Sequence, residues 1–249
     1  MVIGSTLYRM KQCSDSFAWA RENLGEAPDG SIFLADELTK ARGRQGRVWA
    51  NYPGQLSVTF VVKPHHLSSI PKEDLQMRLN QLGMAISLGI CQPLTAYGVK
   101  LKWPNDFFLN GKKCGGMLMQ GVWLEGALQG MIVGFSLNVN NIFNPDDQLF
   151  GSATSIAQEY GQTNLRDLYK AMLISLDSYY ALWRQAQWAT LYQQWRSAQA
   201  FTGKKVTVHR HDGVVLEGTM QQVLPNGDML MLAKGKLEVI SFATVGYWG

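Results

Sequence analysis

The clearest two-residue alternation in the chain runs from Leu56 to Val62. Leu56, Val58, Phe60 and Val62 share one side, and Ser57, Thr59 and Val61 the other. That is the period of a β-strand, and Pro64, with no N–H to give a ladder, ends it. Val99, Leu101 and Trp103 likewise oppose Lys100 and Lys102 across Tyr97–Trp103, and shorter strands are predicted at Ser31–Leu38 and Asp106–Asn110. Met117–Trp123 and Ala127–Leu137 read as strands joined by a turn at Glu125-Gly126, and Asn110-Gly111 is a favoured hairpin pair. Elsewhere the repeat lengthens to three or four residues. Leu75, Leu79, Leu82, Ile86 and Ile90 line one face of Asp74–Cys91. Leu165, Leu168, Met172, Leu176, Tyr179 and Trp183 follow a capping Asn164, and both patterns predict amphipathic helices. A first helix is expected over 14–24, capped by Ser14, Asp15 or Ser16. A more polar helical stretch follows at Gln187–Ala198, and residues 138–152, rich in Asn, Asp, Pro and Gly, read as a loop.

After Phe201 the pattern changes to four short strands, Val206–Arg210, Val214–Met220, Met229–Leu232 and Leu237–Phe242, with turns at Asp212-Gly213, Asn226-Gly227 and Lys234-Gly235. The expectation is an α/β (α+β) chain of two domains. Residues 1–200 form a mixed sheet with helices on one side, and 201–249 form a small β-barrel that leans on the first domain because it is marginal alone.

Composition narrows the function more than the fold. A net charge of +4 is mild, and the basic residues cluster in short motifs, which argues against a nucleic-acid binder. Cys13, Cys91 and Cys114 are scattered and odd in number, so neither a disulfide framework nor a zinc site is expected, and a reducing cytoplasm fits. No apolar run reaches the ~18 residues a membrane span needs, and Met1–Lys11 lacks the features of a secretory leader.

Two motifs carry chemistry. Arg42-Gly43-Arg44-Gln45-Gly46-Arg47-Val48-Trp49 combines three guanidinium forks, two residues without side chains and an indole, a composition suited to closing over an anion. Alone, such a loop is more often a solvated basic turn. The second motif is Lys102-Trp103-Pro104-Asn105-Asp106, followed by Lys112-Lys113-Cys114-Gly115-Gly116. A carboxylate, two lysines and an amide there would converge beside a strand with bare backbone, where a nucleotide and its metal can lie close. There is no GxxxxGK[ST], and the glycine spacing is wrong for a dinucleotide fingerprint. Cys114 has no neighbouring histidine to act as base and reads as core. His209 and His211 lack a third ligand, and His65-His66 reads as a turn.

Together the motifs resemble those of the biotin protein ligases, and the resemblance extends over most of the chain, including the C-terminal module, which it implies is SH3-like. No winged helix-turn-helix precedes residue 1, so the chain resembles the form without a DNA-binding domain. The resemblance implies an ATP- and Mg²⁺-dependent enzyme. It would join biotin to the α-phosphate as biotinyl-5'-adenylate, then pass the acyl group to a lysine of a biotin carboxyl carrier domain, typically of acetyl-CoA carboxylase. Lys113 and Arg44 would be the catalytic cations. Ser16, Phe17, Leu38, Arg42, Gly43, Arg44, Lys113, Gly115 and Gly116 would hold biotin, the last two glycines letting its chain pass. Arg44, Arg47, Trp49, Asn105, Asp106 and Asn138 would hold the nucleotide, with Mg²⁺ arriving on ATP near Asp106. The resemblance also raises a homodimer formed through an edge strand.

The chain departs from that pattern at the acyl end. Where the family has Asp-Ser-Thr-Asn, it has Asp15-Ser16-Phe17-Ala18. Where the family has Gln-Thr-Ala-Gly, it has Leu38-Thr39-Lys40-Ala41, and Ser136 stands at a family glycine. Phe17 and Leu38 remove polar partners of biotin's head, each loss typically costing about 1–3 kcal/mol. Two other functions remain in view: a ligase of the same fold for another acid such as lipoate or octanoate, and a non-catalytic protein that binds a small acid or nucleotide.

Overall fold

The computed structural model describes residues 1–40, 43, 49–64, 67, 70–210, 212–241 and 243–247. In chain order they form β1 (Leu7–Cys13), α1 (Ser16–Glu22), β2 (Ile32–Leu38), β3 (Leu56–Val62), α2 (Lys72–Cys91) and a 3₁₀ turn over Gln92–Tyr97. Next come β4 (Lys100–Lys102), β5 (Asp106–Leu109), β6 (Lys112–Leu124), β7 (Ala127–Leu137), α3 (Ile156–Tyr160), α4 (Leu165–Arg184) and α5 (Trp188–Ser197). The last are β8 (Lys205–Arg210), β9 (Val215–Val223), β10 (Met229–Ala233), β11 (Lys236–Ile240) and β12 (Ala243–Tyr247). The first seven strands make one mixed sheet in the order β1-β2-β3-β7-β6-β5-β4, and β1 and β2 are its parallel pair. The mixed α/β architecture is the one the sequence predicts.

Alternation along β3 and β7 sorts the two faces. Val58, Phe60, Val133, Phe135 and Leu137 join α2 and α4 in the main core. Val61 and Ile132 turn the other way, where Phe17, Ala20 and Leu24 cover them together with Phe33. The expectation of helices on one side is therefore corrected: α1 crosses the opposite face, because its apolar side needs the patch that β2, β3 and β7 leave on that side. Asp15 is the residue that caps α1, accepting from the amides of Phe17 and Ala18 at 3.0 and 3.2 Å. Asn164 caps α4 in the same way at 3.0 and 3.2 Å.

Three further readings change. Tyr97 closes a 3₁₀ turn, and the strand predicted from it begins only at Lys100. In α4 the buried stripe passes through Tyr180, not Tyr179, since four-residue steps from Leu168 through Met172 and Leu176 lead to 180. Tyr180 donates to the carboxylate of Asp29 at 3.0 Å, and burial, with the Asp29 carboxylate second, pushes the phenol well above its ordinary range. β1 and α3 have no counterpart in the predicted elements. β1 is an edge strand with exposed Lys11 and Gln12, which weakens its alternation, and α3 is a five-residue turn within polar sequence.

Residues from Lys205 onward form a five-stranded antiparallel sheet in the order β11-β10-β9-β8-β12, one strand more than predicted. Its interior is continuous with the main core: Val206, Val208, Met220 and Met231 belong to the same buried cluster as Leu101 and Trp103. The Trp103 indole N–H donates to the carbonyl of Gly227 at 2.8 Å, and the Tyr192 hydroxyl to that of Val223 at 2.9 Å. Among the described residues no helix is long and apolar enough to cross a membrane.

Candidate functional site

On the face of the sheet that carries α1, a cavity of about 950 Å³ opens, lined in part by Trp49, Tyr52 and the loop residues Asp146, Asp147 and Leu149. Its floor follows from the strand register. Asp106, Gly116, Ser136 and Ser57 form one row across β5, β6, β7 and β3, and Leu118, Gly134 and Thr59 form the next. Apart from Leu118, these residues are small or polar, because they alternate with the buried set. Such alternation was the available signal for Ser57 and Thr59, which sequence reasoning did not place in the site.

One end of the floor is charged. Lys113 Nζ lies 2.7 Å from Asp106 Oδ1 and 5.2 Å from the centre of the Trp49 ring. A Cβ built on Gly116 would fall 3.2 Å from Asp106 Oδ1, 3.4 Å from the Trp49 ring and 3.5 Å from Lys113 Nζ, so this glycine keeps the space between them open. Lys102, whose side chain opposes the buried Trp103, also lines the cavity, with Nζ 5.0 Å from the centre of the Phe108 ring. Burial lowers the pKa of Lys102. Asp106 acts against that shift and Lys113 adds to it. The Trp103–Pro104 peptide is cis. Asn105 donates from its side chain to the carbonyl of Met117, fixing the approach to β5.

A bulge puts Lys113 here. Asp106 pairs with Gly116, yet Phe108 pairs with Lys113, so β6 spends one more residue than β5 over that interval. The extra residue turns Lys113 toward the cavity and leaves Cys114 in the core, where burial raises its thiol pKa. Burial also pushes Cys91 up to about 12. All three cysteines are buried, free thiols. The bulge is held from outside the sheet. Lys113 N–H donates to Ser152 O at 3.1 Å, and Thr154 N–H donates to Lys113 O at 2.9 Å. Glu159 clamps this support by accepting from Thr154 Oγ1 at 2.6 Å and Asn110 Nδ2 at 2.7 Å.

Those two hydrogen bonds, led by the one from Thr154, lower the pKa of Glu159 below its ordinary 4.5. A carboxylate with a lowered folded-state pKa adds stability above the unfolded value, and the gain fades as pH falls through the folded one. Glu159→Gln is therefore expected to lower the urea midpoint near neutrality, and the gap from the parent should close well below pH 4.5. A gap unchanged across that range would contradict the assignment.

The other expected residues are placed as follows. Ser16, Phe17, Leu38, Gly43 and Trp49 line the same cavity, as do Asn105, Asp106, Lys113, Gly116 and Asn138. Arg42, Arg44 and Arg47 lie outside the described residues. Gly115 faces the core, where a Cβ would meet Leu137 Cδ2 at 2.6 Å and the Ser136 carbonyl at 2.8 Å. Its missing side chain thus serves packing between β6 and β7. Asn138 is buried, with its amide engaged: Oδ1 accepts from Gln55 at 2.9 Å and Nδ2 donates to Thr154 O at 3.0 Å. Gln55, absent from the expected set, so links Asn138 to the segment leaving the arginine loop, donating also to Ala50 O at 3.2 Å. The Trp49 indole N–H is buried with no acceptor among the described residues. No group of three or more His, Cys, Asp or Glu among them is placed to hold a metal. Asp106 instead suits a cation carried in by phosphates, which needs only one or two protein carboxylates.

Residues 7–138 match the model of the biotin/lipoate A/B protein ligase family. The chain is similar to the bifunctional ligase/repressor BirA of Bacillus subtilis, 33% identical over 141 residues that cover 55% of this chain and 41% of that protein. It thus spans about two fifths of the first curated relatives it matches. It is also similar to the biotin–[acetyl-CoA-carboxylase] ligase of Paracoccus denitrificans, 27% identical over 223 residues, covering 87% of this chain and 90% of the relative. Among solved structures, the biotin protein ligase from Aquifex aeolicus in complex with biotin and ATP superposes with a TM-score of 0.80. It is 21% identical and covers 97% of this chain and 98% of its own, a likeness of fold.

Proposed function

Since the chain belongs to the biotin/lipoate A/B protein ligase family, we propose that it activates biotin with ATP and transfers the acyl group to a lysine of a carrier domain such as that of acetyl-CoA carboxylase. The observation that carries this reading is the Lys113–Asp106 pair beside Trp49 over the bare backbone of Gly116, on the floor of a cavity of about 950 Å³. A carboxylate oxygen of the acid attacks the α-phosphorus and pyrophosphate leaves. The acceptor amine then attacks the acyl carbon, loses a proton and displaces AMP.

Neither step needs a covalent enzyme intermediate. What both need is two anions held together and the growing negative charge offset in place. Lys113 supplies that charge where acid and α-phosphate meet, and Asp106 orients its ammonium. Arg42, Arg44 and Arg47 are assigned to the same anions from the sequence, and Trp49 is assigned as the wall beside the base. Mg²⁺ bound to ATP would neutralise phosphate charge, with Asp106 as its protein ligand. Residues 1–200 would hold the chemistry, and residues 201–249 would brace it through the contact between Trp103 and Gly227.

The test is incubation with ATP, Mg²⁺, biotin and a biotin carboxyl carrier domain. Released pyrophosphate and biotin on the acceptor lysine are expected. A folded protein that binds the acid yet releases no pyrophosphate would overturn the reading and favour a binding function.

A further inference from the structure

The cavity has two unlike ends. Opposite the Lys113–Asp106 pair, the row formed by Leu118, Gly134 and Thr59 is closed by Phe17. A Cβ built on Gly134 would fall 2.3 Å from Phe17 Cε2 and 2.8 Å from Cζ, so the ring occupies the volume a side chain at 134 would take. The fit is interlocked: the ring lies on the bare backbone of Gly134, and Phe17 belongs to the buried cluster that contains Ala20, Phe33 and Ile132. The hydroxyls at that end are occupied with each other, Ser16 Oγ and Thr59 Oγ1 lying 2.7 Å apart. Leu118 and Leu38, on the same cavity, add further apolar side chains.

We propose that Phe17, seated on Gly134, is the specificity-determining residue for the acid. Its ring forms the wall against which the end remote from the carboxylate abuts, so the site takes acids with an apolar terminus nearly as well as biotin. This rests on the assignment of the Lys113 end to the carboxylate. Gly116 and Gly134 are one strand and two residues apart, about 8 Å along the floor, which suits an acid of medium length. A wall that offers shape without a hydrogen-bond partner discriminates weakly, whereas one built to pair a polar head rejects an analogue lacking it by orders of magnitude. Phe17 therefore broadens the range of acids, and a hydroxyl at this position would narrow it.

The test is titration calorimetry of biotin and octanoate against the full chain and against Phe17→Thr and Phe17→Leu. Binding is read without ATP, so its outcome is separate from that of the ligase assay. For the parent, the two dissociation constants should agree within about tenfold. Phe17→Thr should shift their ratio toward biotin by about tenfold or more, and Phe17→Leu, which keeps an apolar wall, should leave it near the parent's. A parent that prefers biotin by more than about tenfold overturns the proposal, and this arm stands even if Phe17→Thr does not fold. A folded Phe17→Thr with an unchanged ratio overturns it too. Acid binding without pyrophosphate release counts against the ligase reading alone, and no binding of either acid removes both.

Discussion

Replacing Lys113 with alanine is expected to cut acid-dependent exchange of pyrophosphate into ATP by about 10²–10³-fold, the usual cost of removing one preorganised donor from a developing oxyanion. The fold should survive. The Lys113 side chain is 37% exposed and that of Asp106 22%, so their pair is partly solvated and contributes on the order of 1 kcal/mol. What holds the bulge is the backbone of residue 113 on Ser152 and Thr154, which alanine retains. The check is to run exchange and urea unfolding on the same preparation. An intact midpoint with exchange reduced only a few-fold would take Lys113 out of the central role.

Gly116→Val should be nearly as damaging, by another route. A Cβ at 116 already touches Asp106, Trp49 and Lys113 at 3.2–3.5 Å, and the γ-methyls would enter the space those groups surround. Displacing a reacting group by about 1 Å can cost on the order of 10²-fold, so exchange should fall by about that factor. Valine favours strands, and residue 116 sits within β6, so folding should be little affected. Steady-state kinetics should show the loss in kcat/KM for the acid. Unimpaired kinetics would mean that the acid does not pass over this floor.

Much of the charged end of the candidate site was legible because the Lys102–Gly116 motif is local and its chemistry is carried by residue type. Lysine, aspartate and bare glycine backbone fall on adjacent strands once Asn110-Gly111 folds β5 against β6, and both residues adopt the positive φ that this turn requires, 47° and 79°. The β3 and β7 boundaries followed from alternation and turns in the same way. Gln55 could not be singled out, because its work is to join segments 83 residues apart, at Asn138, and no local pattern marks such a contact. The interlock between Phe17 and Gly134 was hidden for a similar reason. The sequence showed an aromatic residue where the family has a hydroxyl, but not what made room for it.

The sequence by itself determined the strand and helix periods, the two-residue spacing that sets polar residues of β3 and β7 against buried ones, and the residue types at the charged end. Tertiary structure decided which face each of those residues serves. Strict alternation from Gly116 would send Cys114 to the cavity and Lys113 to the core. The bulge against β5, fastened by the loop through Ser152 and Thr154, reverses both. A one-residue slip in pairing inverts a side chain's direction, and pairing is set by backbone partners distant in sequence.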